Sequence, residues 1–295
     1  MLFSSPSYRT GLFPRLPAWR RTLRYLMETE VHVYAFSMAA NILLSFFPFF
    51  IVMVSICRYL LQWDAAEQAI YIAIVDYFPD SDFGKFIIRN LRAVVDQRGP
   101  FQVVSLLLLL FTANGIFEPL EVALNRAWGI TKNRSYLRNQ LVSLGLIFAC
   151  GGLALLSTVL TAVNQELLMK IGTASQSTAF VGAMMFKLAA VPISILMLFL
   201  IYWILPNAKI AVAPLLPVSL LVGAALEILK NINLWTWPWL RAKLSHEYGP
   251  FMYSVTIILW GFLASMVVLA GAEWAARSRE ESARKEGLQT IGAVD

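Results

Sequence analysis

Charge is scarce in this chain. Only 14% of its 295 residues are Asp, Glu, Lys or Arg, against 58% hydrophobic residues and a mean hydropathy of +0.65. Soluble domains carry about 25% charged residues, so the deficit excludes an ordinary soluble fold and defines an integral membrane protein. Histidine is scarcer still: His32 and His246 are the whole supply. A metal-dependent nuclease needs clustered hard or imidazole ligands beside a phosphate-binding surface. No His-x-His-x-Asp-His array exists to provide them, so no metal, catalytic residue or cofactor is expected. A Walker A motif, Gly-x-x-x-x-Gly-Lys, is also missing, which excludes ATP hydrolysis by a P-loop. Cys57 and Cys150 are the two cysteines. Both fall in or at the end of apolar segments, where cysteines pack rather than form a disulfide framework. Residues 1–31 lack the apolar core of about 7–15 residues that a signal peptide requires.

What the chain does have is long apolar runs. Six of them, at about 33–57, 102–125, 137–163, 180–205, 213–234 and 250–276, are long enough to cross a bilayer as helices. The expected fold is an all-α membrane protein of six transmembrane helices. Residues 1–31 form a basic N-terminus, in which Leu16, Trp19, Leu23 and Leu26 recur at helical spacing between Arg20, Arg21 and Arg24. Residues 32–277 make the membrane domain, and 278–295 a cytoplasmic tail. Between the first two spans, residues 58–100 are polar and too long for a tight loop. Asp64 with Glu67 resembles a capping box, and Phe83, Ile87, Leu91, Val94 and Val95 form a stripe at helical spacing. An amphipathic external cap is expected there.

Polar residues inside the spans come in one-sided stripes. Asn114, Glu118, Glu121 and Asn125 lie at offsets 0, 4, 7 and 11, so a helix gathers them on one face. Ser37, Asn41 and Ser45 repeat the pattern in the first span. If the first span starts and the second ends on the cytoplasmic side, Asn41 shares the depth of Asn114 and Glu118. Asn41, Ser45, Asn114 and Glu118 are therefore candidates for an internal path. Interhelical hydrogen bonds that only hold the bundle, each worth about 0.6–2 kcal/mol, account equally well for the asparagines. Glu118 favours function, since intramembrane carboxylates are costly and face cavities. Glu227 and Lys230, three residues apart before the Trp235, Trp237 and Trp239 belt, are candidates for the outer half of the path or a plain ion pair.

Charge also sets orientation. Arg9, Arg15, Arg20, Arg21 and Arg24 precede the first span, Arg126, Lys132, Arg134 and Arg138 join the second to the third, and Arg277, Arg279, Arg284 and Lys285 follow the last. Both termini are then cytoplasmic by the positive-inside rule. The net charge of +6 is thereby explained without a nucleic-acid partner; membrane lipids are the expected partners.

Several stretches carry a resemblance. Leu44-Ser45-Phe46-Phe47-Pro48, Ala123-Leu124-Asn125-Arg126-Ala127-Trp128-Gly129, Leu205-Pro206-Asn207 and Gly271-Ala272-Glu273 are similar to the YihY/BrkB family of bacterial inner-membrane proteins. The resemblance covers roughly residues 20–277, with the Ala123-Leu124-Asn125-Arg126-Ala127-Trp128-Gly129 stretch as its most specific part. It implies a six-helix inner-membrane protein whose members have been called virulence factors and suspected of transport, and which long carried the label ribonuclease BN. It also implies a cytoplasmic-end motif of Asn125, Arg126, Trp128 and Glu273. Two function classes lead for this chain, ahead of a much weaker third, an intramembrane enzyme. One is a transporter or flippase-like protein for an amphiphile or small solute. The other is a structural membrane protein whose polar stripes only pack helices. The ribonuclease reading is rejected on the missing ligands.

Overall fold

A computed structural model describes residues 18–77, 81–97, 99–130, 134–171, 192–207, 210 and 212–292. Over these residues the chain is helical, with no strand. The short basic helix α1 (Ala18–Leu26) leads into α2 (Thr29–Ser55), which carries Pro48 within it and ends in a π turn, Ile56–Leu60. Next come α3 (Asp64–Tyr77), α4 (Ser81–Asp96), α5 (Pro100–Ala127) and α6 (Tyr136–Ile171). The described part of α7 is Pro192–Ile204. The expected fourth span lies outside the described residues as far as 191. The last two helices are α8 (Leu215–Tyr248) and α9 (Met252–Gly292), joined by the 3-10 turn Gly249–Phe251.

Among the described residues, four helical stretches are long and apolar enough to cross a membrane: Thr29–Leu60, Val103–Arg126, Leu137–Ser157 and Leu215–Arg277, the last containing both α8 and α9. Their outer faces are apolar. Val103, Leu107 and Phe111 on α5 are each more than half exposed, as are Leu137 and Leu141 on α6. Such surface is covered by lipid rather than water.

The bundle is built around α2. It runs antiparallel to α5, with Glu30 paired to Arg126 at one end and Asn41 lying on Gly115 near the middle. It also packs on α9, where Phe36 stacks on Phe262 with ring centroids 4.3 Å apart and Gly261 faces Ala39. The core between them includes Val31, Ala35, Leu109, Ala113, Leu124 and Leu269.

A second core joins the far end of α2 to α3 and α4, through Val54, Cys57, Ala69, Ile74, Ile87 and Leu91. Burial of Ile87, Leu91 and Val95 with Lys85, Arg89 and Arg92 exposed gives α4 one apolar face. Helix α3 starts at Asp64 as the sequence suggests, but Glu67 turns elsewhere. Its carboxylate accepts a hydrogen bond from the Tyr71 hydroxyl at 2.9 Å and lies 3.8 Å from Arg58. Burial and that bond push the Tyr71 hydroxyl up to about 12.

Helix α8 outruns its expectation. The apolar run ends near Leu234, yet the helix continues through the tryptophans and Pro238 to Tyr248. Trp237, Leu240 and Leu244, at offsets 0, 3 and 7, are buried, and the two leucines pack with Met252, Tyr253 and Trp260 of the returning helix. That contact stabilises the extra turns.

Candidate functional site

The polar stripe of α5 divides into two groups. The upper group is centred on Asn114, which is 8% exposed. Its Nδ2 donates to Glu118 Oε2 at 2.8 Å, and its Oδ1 accepts from Asn139 Nδ2 of α6 at 3.3 Å. Gln140, the next residue of α6, donates to the Leu110 carbonyl. Beside these bonds, three buried polar atoms lack a hydrogen-bond partner among the described residues: Asn139 Oδ1, Gln140 Oε1 and Ser143 Oγ. The result is a polar seam between α5 and α6. Glu118 and Arg138 at its edge are exposed.

Asn41 approaches this seam from α2. A Cβ on Gly115 would collide with the Asn41 amide, so glycine there permits the close crossing. The shared depth of Asn41 and Asn114 is therefore a geometric fact. Asn41 and Ser45 nonetheless spend donors on their own helix: Asn41 Nδ2 bonds the Ser37 carbonyl at 2.9 Å, and Ser45 Oγ bonds that of Ile42 at 3.1 Å. Glu227 and Lys230 are not part of the group. Both are exposed, and they pair with each other at 2.8 Å on α8.

The lower group holds Glu121 and Asn125, 4% and 3% exposed. Asn125 Nδ2 donates to Glu121 Oε1 at 3.4 Å, while its Oδ1 accepts the backbone N–H of Asn207 at 2.9 Å. Two of the quoted sequence stretches, distant along the chain, thus meet through one side chain. Local geometry explains the Trp128-Gly129 pair. Gly129 adopts φ +65, and the Ile130 N–H returns to the Asn125 carbonyl at 2.8 Å. This is a glycine C-terminal cap that satisfies helix-end carbonyls and reverses the chain.

The reversed chain brings Arg134 back beside Glu121. Arg134 Nη1 donates to the Leu205 carbonyl, and Nη2 to those of Ile204 and Pro206, each at 2.9 Å. One guanidinium thereby clamps the Leu205-Pro206-Asn207 turn. Burial pulls the Arg134 pKa down, against the opposing influence of Glu121. Glu121 Oε2 and Arg134 Nε are both buried without a hydrogen-bond partner among the described residues.

The remaining motif residues gather at the same end. Arg126 pairs with Glu30, both more than half exposed, and Trp128 is partly buried against the main core. Glu273 pairs with Arg277 and accepts from Thr22 Oγ1 at 3.4 Å, which ties α1 to α9. Burial, then Glu273 and Glu28, push the nearby Tyr25 hydroxyl up to about 12. Gly271 is held between Tyr202 and Val222, and the Tyr202 hydroxyl donates to the Val268 carbonyl at 2.8 Å.

Sequence reasoning named Asn114 and Glu118 but missed their α6 partners. Asn139 and Ser143 carry the same i, i+4 signal. Arg138 and Gln140 around them made that stretch read as a flank rather than a path. Among the described residues, no three His, Cys, Asp or Glu side chains gather where a metal could sit.

Long apolar helices around buried polar groups define an α-helical integral membrane protein. The chain belongs to the family described as Virulence factor BrkB, whose model matches residues 22–290. It is similar to a UPF0761 membrane protein of Acinetobacter baylyi, 27% identical over 63% of this chain and 44% of the relative. A UPF0761 membrane protein of Chlorobium chlorochromatii is 24% identical over 84% of this chain and 56% of the relative. The chain thus spans about half the length of these two relatives. A Bacillus subtilis protein whose name carries the words ribonuclease-like is 24% identical over 78% of this chain and 84% of its own. No solved structure matches this chain.

Proposed function

We propose that this protein moves an amphiphile or small solute along the polar seam between α5 and α6. The observation that carries the reading is the set of buried, unpartnered atoms of Asn139, Gln140 and Ser143 beside the Asn114–Glu118 pair. Unsatisfied polar atoms at membrane depth are costly, and a passing polar group or water relieves that cost. Leu137 and Leu141, 74% and 70% exposed, flank the seam on α6. A molecule with a polar head and an apolar tail fits such an edge: head in the seam, tail against the leucines and lipid.

The setting is six spans in a bacterial inner membrane, with both termini cytoplasmic and α3–α4 as an external cap. Its support is the distribution of arginine along the chain and the likeness to bacterial membrane proteins. The ribonuclease-like wording is not carried over. His32 packs against Phe262, and His246 lies in the last turn of α8, so the two histidines do not assemble a site.

A structural reading, in which the stripes only pack helices, is favoured by one set of bonds. Asn41, Ser45 and Thr112 donate to carbonyls of their own helices. Cysteine replacements separate the two readings. Transport predicts that cysteines at 114, 118 and 139 react with a small aqueous thiol reagent in membranes. Those at Val103 and Leu107, which face outward into lipid, stay unreactive. Uniform protection at all five would establish the structural reading instead.

A further inference from the structure

We infer that the seam between α5 and α6 selects an amphiphile whose head carries a primary ammonium group, because what the seam has left to offer is hydrogen-bond acceptors. This names a substrate class for the path proposed above and rests on that reading.

The direction of each bond fixes which atoms remain. Glu118 Oε2 accepts from Asn114 Nδ2 at 2.8 Å, so Asn114 has its oxygen left for α6. That oxygen can only accept, and Asn139 meets it with Nδ2 at 3.3 Å. Gln140 likewise commits Nε2, because its partner is the Leu110 carbonyl. A chain of bonds that ends on a carboxylate and on a carbonyl thus engages the amide nitrogens and leaves the α6 amide oxygens over. Flipping either amide would set oxygen against oxygen. Asn139 Oδ1 and Gln140 Oε1 are accordingly buried without a hydrogen-bond partner among the described residues, as is the hydroxyl of Ser143, one turn beyond Asn139.

Such a seam discriminates by donors. A primary ammonium brings three N–H groups together with a positive charge. Glu118, exposed at the edge of the seam, meets the charge, and the amide oxygens take the N–H groups. A quaternary ammonium carries the same charge without a donor, so it would leave those oxygens buried and unpaired, which is the costly outcome. Arg138, exposed at the same edge, suits an anionic phosphate ester between head and tail. Leu137 and Leu141, on either side of Asn139 and Gln140 in the chain, give the tail its apolar contact. Asn139 and Ser143 are buried, so the head meets Glu118 first and reaches the α6 acceptors as the two helices part.

Two phospholipids with identical acyl chains and the same phosphate isolate the donors. Phosphatidylethanolamine carries N–H groups on its head, and phosphatidylcholine carries none. Native mass spectrometry of the full chain in detergent, titrated with each lipid, gives the ratio of their dissociation constants. The wild type should hold phosphatidylethanolamine about tenfold more tightly, the effect of an ordinary hydrogen bond or two. Asn139→Leu and Gln140→Met, which each remove one acceptor, should bring the ratio toward one, while Glu227→Gln on α8 keeps it. Soluble ethanolamine phosphate, the head without the tail, should not displace the lipid. A wild-type ratio near one overturns the proposal and needs no variant to fold. An undiminished ratio in both seam variants, or displacement by the soluble head, overturns it too. Failure of the cysteine-reactivity test would remove the transport path and leave this ratio readable, so the two failures are told apart.

Discussion

At the scale of single residues, the closest approach in the bundle depends on what is missing from one side chain. Gly115 lets α2 lay the Asn41 amide against α5. Replacing it with alanine inserts a methyl group where backbone and side chain already meet, and overpacking of this kind costs about 1–3 kcal/mol. Gly115→Ala should therefore lower the thermal midpoint in detergent. Pairing it with Asn41→Ala, which vacates the space, should recover much of the loss. An additive pair would mean that the two residues do not touch. Polar residues at this scale were only half legible in the sequence. Spacing alone placed Asn114, Glu118, Glu121 and Asn125 on one face, because helical periodicity is a local property. It could not say that Asn114 bonds to Asn139, or that Asn125 bonds to Asn207, since those contacts depend on which helices are neighbours.

At the scale of elements, the instructive helix is α8. Its apolar run suggests a stop near Leu234, and Glu227 and Lys230 then look like residues guarding an outer mouth. In the structure the helix spans 34 residues, about 50 Å at the usual rise. Glu227 and Lys230 sit on its outward face as an exposed pair. Exposed i, i+3 pairs contribute about 0.2–0.5 kcal/mol, and Lys230 keeps its charge at the surface by extending its stem. Glu227→Gln and Lys230→Met should each shift stability by no more than that, and the double neutral variant should match the wild type in stability and in any transport activity. A loss in the single variants that the double variant fails to repair would return both residues to the path. The stripe Trp237, Leu240 and Leu244 was visible in the sequence, but three tryptophans in five residues, with Pro238 among them, read more naturally as an interface belt. Leu240 and Leu244 pack against α9, while Trp235 and Trp239 stay exposed.

At the scale of the whole molecule, one end of the bundle is tied together and the other is capped. Glu30 with Arg126, Asn125 with Asn207, Arg134 with the 204–206 carbonyls and Thr22 with Glu273 all lie at the first end, joining α1, α2, α5, α7 and α9. On the proposed orientation, in which the positive-inside rule operates, this end is the cytoplasmic one. Reporter fusions at residue 295 and in the Gly249–Phe251 turn should then report opposite sides of the membrane, because α9 alone separates them. Reports from the same side would overturn the six-span topology.

Sequence alone determined the class of protein, the helical character of its segments, the basic flanks and the family. Each of these follows from composition, local periodicity or short contiguous stretches. Tertiary structure decided which polar residues meet. It joined Asn125 to Asn207 across 82 residues and Thr22 to Glu273 across 251, and it left Glu227 and Lys230 outside the group. The physical reason is that a helix orients its side chains by its own backbone, whereas a hydrogen bond between helices exists only where packing of apolar surfaces has already brought the two backbones together.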